Sequence, residues 1–455
     1  MKRYRGPYEA HTVLKLHTVR VGGHGYYVDD LPYGREDANG LVAESPGRWV
    51  GEGASALGLA ERVEPQAFAD VLSGRDPLSG RALPVTRDRV TVAGYDLVFC
   101  APKSVSLLHA LGPTELASAV GKGHDAAVRA TADYLARAAL GVRRSSHGHR
   151  STLATIGMVG GAFVHRTSRA LDPHLHTHVV AANVAQGVDG RWSAVDGRGL
   201  FAHTVDAGRL YHAQLRHELT TRLGVAWDVR PNGLGDVVGV DPGLRGLFSQ
   251  RSADMKAYLA EHSGRASVRG AFYATRPEKD RTVSWEALVP EWRHRADELG
   301  YDVSTLSRVV GRGRDGVGFD AELLQSAIAR RAWRDGTLAR RDIVSAVATA
   351  HVGGGRVSEV EGAVDRLCAE VRAHDPDGSG TERWPVPAVS GAARACGSEL
   401  TRRSEQRGLG PGDREKPDRS RSARARAPDD PRRARRSPER SPERSKRGVE
   451  HGMER

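Results

Sequence analysis

Alternating apolar and polar positions predict a strand that runs directly into a helix near residue 100. The stretch DRVTVAGYDLVFCAPKSVSLLHALG, residues 88–112, begins with strand-like alternation, breaks at Pro102 and takes up helical spacing from Ser104, a residue type suited to a helix N-cap. The next stretch, residues 114–140, keeps helical spacing throughout and predicts one long helix.

More strands and a second long helix follow. Residues 151–168 predict a strand pair or one bent strand, with the glycine pair at 160–161 at the bend. The sequence LHTHVVAANVA at 175–185 predicts a strand, GRWSAV at 190–195 a short one, and residues 203–222 a helix. Together these elements predict one mixed domain over the first 310 residues.

A helical segment is predicted over residues 311–380. DAELLQSAIARRAWRDG at 320–336 and RDIVSAVATAHVGGGRVSEVEGAVDRLCAEV at 341–371 place apolar residues three and four positions apart, which predicts three short helices.

Residues 381–455 are predicted to be a disordered basic tail. Apolar residues become scarce there, and a chain that buries little apolar surface cannot offset the entropy cost of ordering. Residues 401–455 contain 18 Lys and Arg against 10 Asp and Glu, so they carry +8 of the net charge of +12. With a pI of about 9.9, the chain is expected to bind an anionic partner such as nucleic acid.

The composition excludes several other classes of protein. The three cysteines, Cys100, Cys368 and Cys396, form no CxxC pair and no even set, which argues against a disulfide framework or a cysteine zinc site. No apolar run approaches the roughly 18–20 residues of a membrane span, and no signal-peptide pattern follows the basic start. A cytoplasmic protein without a membrane span is expected.

A cluster of histidines is the most unusual feature of the sequence HRTSRALDPHLHTHVVAANV, residues 165–184. Alternate residues of a strand point to one face, so His174, His176 and His178 share a face. His174 and His178 are then roughly 13 Å apart, whereas metal–nitrogen bonds are about 2 Å long. Any shared metal site must therefore include His176 and only one of its two neighbours.

A third imidazole is available from His165, at the end of the preceding strand. The turn-forming pair Asp172 and Pro173 lies before His176, so an antiparallel return can place His165 opposite His176. Three imidazoles around one ion leave open coordination positions, which is typical of a catalytic site. The competing interpretation is a set of ordinary polar residues on an exposed sheet face.

Four motifs together resemble those of the MobF-type conjugative relaxases, which nick and transfer DNA strands in plasmid mobilisation. They are, in the order of the family, GYYVDD at 25–30, GRWVGEGASALGL at 47–59, GYDLVFCAPKSVSLL at 94–108 and SRALDPHLHTH at 168–178. The resemblance covers roughly residues 10–310.

This resemblance implies an α+β fold, an antiparallel sheet with flanking helices of the histidine-hydrophobe-histidine endonuclease type. The helical segment at 311–380 is similar to the lead-in to a helicase region in longer members of the family. The sequence GxxxxGK[ST] is not found, so no helicase motor is expected.

The resemblance also implies roles for individual residues. The family's metal-binding histidines correspond to His165, His176 and His178, which leaves His174 outside the site. The implied cofactor is a divalent metal ion, with Mg, Mn and Zn as the candidates.

The nucleophile implied by the resemblance is Tyr26, with Tyr27 as its partner and Asp96 as an acidic residue that accepts the tyrosine proton or orients a metal-bound imidazole. Tyrosine has a pKa near 10 in water and needs such activation. Many family members carry a second tyrosine pair, but here Tyr33 is a lone candidate directly after Pro32.

Lys103 and Arg169 are the candidates for contacts with DNA phosphates, although a solvated first-turn lysine is an equally good interpretation of Lys103. The implied partners are single-stranded DNA at a transfer origin, relaxosome accessory proteins and the coupling protein of a type IV secretion system.

The sequence leaves other functions open. A rolling-circle replication initiator uses the same chemistry, but its histidine pair usually precedes the tyrosine, whereas Tyr26 comes first here. The sequence is also compatible with a catalytically inactive, truncated DNA-binding remnant and with a metal-dependent nuclease that releases free ends.

Overall fold

The computed structural model describes residues 14–22, 47–83, 91–147, 149–262, 267–277, 285–313, 318–332, 336–374 and 383–395. The chain divides into the units Met1–Gly412 and Asp413–Arg455, and all the described residues belong to the first. The predictions for Tyr26, Tyr27 and Tyr33 lie outside the described residues.

The strands are numbered in chain order as β1 Leu14–Arg20, β2 Arg48–Val50, β3 Val92–Cys100, β4 Gly141–Ser146, β5 His149–Ala154, β6 Gly160–Thr167, β7 Pro173–Ala182, β8 Ala185–Gln186, β9 Trp192–Ser193, β10 Trp227–Val229, β11 Gly235–Val237, β12 Thr337–Ala339 and β13 Arg383–Pro385. The helices are α1 Glu52–Ala56, α2 Pro65–Leu72, α3 Lys103–Leu111, α4 Thr114–Ala138, α5 Arg198–Ala202, α6 Thr204–Leu223, α7 Pro242–Leu247, α8 Gln250–Glu261, α9 Val268–Ala274, α10 Trp285–Glu298, α11 Ala321–Ala332, α12 Arg340–Ala350 and α13 Val357–His374, with a 3₁₀ helix at Val303–Val309 and helical residues at 386–395.

A five-stranded antiparallel sheet in the order β1-β3-β7-β6-β2 forms the centre of the fold. The predicted strand and helix around residue 100 are β3 and α3, separated by Pro102, and the two long predicted helices are α4 and α6. The predicted α+β fold, an antiparallel sheet with flanking helices, is confirmed.

The stretch 151–168, predicted as a strand pair or one bent strand, contains two strands that belong to different sheets. β5 pairs with β4 in a separate ribbon, whereas β6 pairs with β7 and β2 in the central sheet. Periodicity along the chain detects both strands but carries no information about which partner each one will meet.

The two faces of the central sheet are covered differently. One face, which we call the helix face, packs against α3, α4 and α6 through buried residues such as Leu97, Phe99 and Val179. One end of the opposite face is covered by an apolar cluster around α2, and this cluster includes Phe163 and Val180 of the sheet. Further along the same strands this second face carries Asp96, His165, His176 and His178, and we call that part the polar half.

The described residues of the C-terminal region, 318–332, 336–374 and 383–395, pack onto the sheet domain. The fully buried Arg216 of α6 donates hydrogen bonds to the carbonyl oxygens of Ala348 at 3.0 Å and His351 at 2.9 Å, at the end of α12. A cation at a helix C-terminus meets unpaired carbonyl groups and the negative end of the helix dipole. The contact therefore fastens α12 to α6.

The predicted tail begins too early at residue 381. Trp384 lies in β13, which pairs with β12, and the helical residues 386–395 bury Val389 and Ala393. The prediction failed there because two short apolar stretches in a polar sequence give no periodic pattern. Among the described residues, no helix is long and apolar enough to cross a membrane.

Candidate metal centre

Three histidine side chains converge on the polar half of the sheet. The β6–β7 ladder pairs His165 directly with His176, and His178 lies two residues further along the same face of β7. One ligand atom from each of the three lies within 4.8 Å of the other two. This is the only such group of three in the described part of the chain, and it fits a metal ion because neutral imidazole is a common metal ligand.

The ring of His178 is held from behind by Asp96 of β3. Its Nδ1 donates to the buried carboxylate, at 2.9 Å from Oδ1 and 3.0 Å from Oδ2. This hydrogen bond fixes the tautomer and leaves Nε2 with a free lone pair. Asp96 is thus in position to orient a metal ligand, one of the two roles that the sequence left open.

His176 is oriented by the backbone of its own strand. Its Nδ1 donates to the carbonyl oxygen of His174 at 2.9 Å. Burial holds the pKa of His176 well below its usual value, and the neighbouring histidines His174, His165 and His178 lower it further. His176 is therefore neutral at physiological pH, which is the form that binds metal ions.

His174 lies beside the cluster but is not part of it. Its ring stacks on that of His176, with the centroids 4.7 Å apart, and burial lowers its pKa to about 3. The three residues that meet in the described structure are His165, His176 and His178.

Lys103, a candidate either for a DNA phosphate contact or for a solvated side chain, contacts the protein backbone in the structure. Its Nζ donates to the carbonyl oxygen of Pro173 at 2.6 Å, at the first residue of β7. Burial lowers the pKa of Lys103 to about 8, and the carboxylate of Asp172 opposes this shift. The ammonium group thus stabilises the start of the strand that carries two of the three histidines.

Arg169 lies half-buried in the turn between β6 and β7. The pKa of Arg251 is lowered first by burial and then by the positive charges of Arg276 and Arg169, against the opposing charge of Asp254. Arg169 is thus close to other guanidinium groups, an arrangement suited to phosphate oxygens.

The turn that carries Arg169 is held in place by its surroundings. Leu171 has a positive φ of 56°, which is unfavourable for a residue with a side chain. Trp292 donates its Nε1 hydrogen to the Leu171 carbonyl at 2.8 Å, and the buried Asp172 accepts from the backbone and side chain of Gln250. Such contacts from α8 and α10 offset the strain of the turn.

Sequence reasoning missed two basic residues beside the centre. His17 of β1 is paired in register with Asp96, and Lys15 lies on the same face of β1. Burial is the largest effect on His17 and lowers its pKa. The carboxylate of Asp96 raises the pKa, and the smaller effects of Lys15, His178 and Arg276 lower it. No sequence pattern identifies these residues, because their position depends on the pairing of β1 with β3.

Comparison with known proteins gives the family of this chain. A family model described as TrwC relaxase matches residues 19–299. The chain belongs to the TrwC relaxase family. The resemblance to MobF-type conjugative relaxases, drawn from the motifs, is therefore confirmed.

Two curated relatives of this TrwC relaxase family member are multifunctional conjugation proteins TraI, one from Escherichia coli and one from its strain K12. Each is 32% identical over 307 residues, a stretch that covers 64% of this chain and 16% of the relative. The chain thus matches only a small part of the length of these relatives.

Solved structures of the conjugative relaxase TrwC are similar as well. A copper-bound structure in complex with oriT DNA has a TM-score of 0.57 and 30% identity, and the match covers 64% of this chain and all 100% of that one. TrwC complexed with a 27-mer DNA comprising the recognition hairpin and the cleavage site matches with the same identity and coverage and a TM-score of 0.55.

Proposed function

We propose that this protein nicks single-stranded DNA at a plasmid transfer origin, at one site and on one strand, and so initiates and terminates conjugative transfer. The observation that carries the proposal is the convergence of His165, His176 and His178, with Asp96 behind His178, on the sheet of a TrwC relaxase family member. The description of TrwC structures as complexes with oriT DNA, one of them copper-bound, supports it.

The three imidazoles would hold a divalent ion, with Mg, Mn and Zn as the candidates. Two of them have their Nδ1 hydrogens bonded, His178 to Asp96 and His176 to the His174 carbonyl, so their Nε2 lone pairs are available. When bound, such an ion withdraws charge from the non-bridging oxygens of a phosphodiester. Imidazole ligands accept several divalent ions, so the residues alone do not select one.

Tyr26 is the proposed nucleophile. Its Oη attacks the scissile phosphorus, the P–O3′ bond breaks, and the products are a 5′-phosphotyrosine and a 3′-hydroxyl. The phenol proton of Tyr26 passes to solvent, and the departing 3′ oxygen takes up a proton from solvent. Because one phosphodiester replaces another, the strand can be rejoined without ATP.

Asp96 acts in this proposal by orienting His178. Its two carboxylate oxygens lie 2.9 and 3.0 Å from Nδ1 of that residue, so both are engaged by one imidazole. This favours the orienting role over the abstraction of the tyrosine proton. Tyr27 is proposed to assist Tyr26, and relaxosome accessory proteins and a type IV secretion coupling protein are the proposed protein partners.

The decisive experiment is to incubate the protein with single-stranded oligonucleotides that span the transfer origin of its host element. We expect a protein band shifted by covalently attached DNA, which disappears with a chelator and returns with Mn²⁺ or Mg²⁺. Cleavage that leaves two free ends and no adduct would show a nuclease instead. Binding without cleavage would show an inactive DNA-binding protein.

A further inference from the structure

Thr177 lies between His176 and His178 in β7, and its side chain points to the opposite face of the sheet. Alternation along the strand places the two histidines on the polar half and Thr177 on the helix face. Thr177 is only 2% exposed, so its hydroxyl group requires a partner inside the protein.

The partner of Thr177 is His124 of α4, and the chain of contacts continues to α6. His124 Nε2 lies 2.7 Å from Thr177 Oγ1, and its Nδ1 lies 2.7 Å from Tyr211 Oη. Burial lowers the pKa of His124 to about 3, so its ring is neutral. A neutral imidazole donates at one nitrogen and accepts at the other, so it forms a hydrogen bond with each hydroxyl group.

These polar groups lie in a core that is otherwise apolar. His124 is 1% exposed and Tyr211 0%, and the Tyr211 ring packs against Phe99 with the centroids 5.5 Å apart. Apolar side chains would fill this volume without the cost of desolvating polar groups. A chain of hydrogen bonds differs from apolar packing in that it defines a direction as well as a distance.

The hydrogen bond to Thr177 constrains the orientation of β7, because Thr177 lies between His176 and His178. Any rotation of β7 about its long axis swings His176 and His178 together, away from His165 on β6. A hydrogen bond to the residue between them, on the other face, opposes that rotation. Ser106 of α3 gives further support on the same face, since its Oγ accepts from the Leu175 amide at 3.1 Å.

We propose that His124, held by Tyr211, is a positioning residue for the metal centre and acts through the hydroxyl group of Thr177. This inference rests on the proposed function, because it assumes that His165, His176 and His178 bind an ion. The hydrogen bond fixes the rotation of β7 about its long axis, so that His176 and His178 face His165 before the ion binds.

The experiment compares the full-length protein with Thr177→Val, which keeps the shape and the β-branch but removes the hydroxyl group. The probe is Cu²⁺, with the dissociation constant from calorimetric titration and the coordination geometry from electron paramagnetic resonance. We expect Cu²⁺ to bind about tenfold more weakly, at the lower end of the effect typical of groups behind metal ligands, with an altered nitrogen hyperfine pattern. Thr177→Ser retains a hydroxyl group and should restore both values.

The matched control is Thr131→Val. Thr131 is 0% exposed, lies in the same helix as His124, and donates its hydroxyl hydrogen to the Ala127 carbonyl at 2.9 Å. The same substitution there also removes a buried hydrogen bond but leaves β7 untouched. It should reduce stability and leave the Cu²⁺ affinity and spectrum unchanged.

The outcomes separate this inference from the proposed function. Wild-type binding of Cu²⁺ that is lost in His165→Ala establishes the centre, and unchanged affinity and spectrum in Thr177→Val would then overturn the positioning role. Equal changes in Thr177→Val and Thr131→Val would overturn it too. If Thr177→Val does not fold, Tyr211→Phe takes its place, and a Cu²⁺ affinity and spectrum unchanged from the wild type would overturn the positioning role. Absence of Cu²⁺ binding by the wild type would refute the metal centre and this inference with it.

Discussion

His165 and His176 face each other across the β6–β7 ladder, with ring centroids 5.1 Å apart and ring planes at 89°. The two residues come from different strands, so their meeting depends on the register of the ladder. A shift of β6 by one residue relative to β7 would turn His165 to the helix face and separate it from His176 and His178. The register is fixed at one end by the turn at Leu171 and Asp172, which Trp292 and Gln250 hold.

Substitution of the histidines tests which of them are ligands. His165→Ala, His176→Ala and His178→Ala should each reduce cleavage by more than the roughly 10–100-fold loss typical of groups behind a metal ligand. His174→Ala should retain most activity, because the contact to His176 Nδ1 comes from the His174 backbone carbonyl, which remains. Cleavage rates on a cognate oligonucleotide measure this. A loss in His174→Ala as large as in the others would contradict the assignment.

Substitution of Tyr26 tests the nucleophile. Tyr26→Phe removes only the hydroxyl group, so the covalent adduct should vanish while binding of the oligonucleotide persists. Mass spectrometry of tryptic peptides from the wild-type adduct should place the DNA on the peptide that contains Tyr26. Tyr27→Phe should reduce the adduct without eliminating it, and DNA attached to Tyr33 would show that a different tyrosine attacks.

The sequence predicted which histidines converge better than it predicted the packing around them. The spacing of His176 and His178 and the turn before them were enough to predict that His165 returns opposite His176. The partners that orient these rings were less accessible, because the contact of His124 with Thr177 joins residues 53 positions apart. Local patterns encode the face of a strand, whereas contacts between distant elements depend on how the whole core packs.

Lys103 illustrates the same limit. A lysine in the first turn of a helix suggests either a phosphate contact or a solvated side chain, and neither interpretation includes the Pro173 carbonyl that it meets. That carbonyl reaches Lys103 only because β7 starts beside the first turn of α3.

Arg169 and Lys103 should therefore respond differently in DNA binding. Arg169→Ala should weaken binding of any single strand and lower the slope of log affinity against log salt concentration by about one, since one phosphate contact is lost. Lys103→Met should leave that slope unchanged and lower the stability of the protein instead. Fluorescence anisotropy at several salt concentrations, with urea unfolding alongside, measures both. The opposite pattern would return Lys103 to the DNA surface.

Truncation should separate the folded C-terminal region from the basic tail. A chain that ends at residue 395 keeps β13 and the last helical residues, so it should unfold at the same urea concentration as the full chain and still distinguish cognate from scrambled DNA. It should lose only the extra affinity of the full chain for any DNA at low salt.

A chain that ends near residue 310 should be less stable, because Arg216 loses the carbonyl acceptors at the end of α12. The truncation also removes the buried apolar residues of α12, such as Ile343 and Val347, from the core that they share with α6. Equal stability of the chains ending at 310 and 395 would show that the packing of α12 contributes nothing to the domain.

Acid should destabilise the protein through its buried histidines. Burial lowers the pKa values of His109 and His351 to about 4 and that of His124 to about 3, from an ordinary value of 6.5. Between pH 6.5 and about 4 the unfolded chain binds more protons than the folded one. The stability that these groups contribute is therefore fully present above pH 6.5 and is lost as the pH falls through this window.

Urea unfolding at intervals between pH 7.5 and 4.5 measures the effect. Each such histidine contributes a slope of at most about 1.4 kcal/mol per pH unit, and other buried histidines with lowered pKa values, such as His174 and His176, add their own. His351→Gln removes one of the titrating groups and should lower the slope by at most about 1.4 kcal/mol per pH unit. A free energy of unfolding that stays constant across this range would contradict the neutral state of these residues.

The polar half of the sheet has a consequence for how the protein acquires and exchanges its metal ion. The histidines lie on β6 and β7, which pair with each other there, and β7 is also paired with β3 at His176 and His178. The binding site is therefore formed before the ion binds, and none of the binding energy is needed to fold the chain around the ion. The metal-free protein should therefore stay folded and be able to bind a metal ion again. The ion that occupies the site should be whichever suitable one is available in the cell.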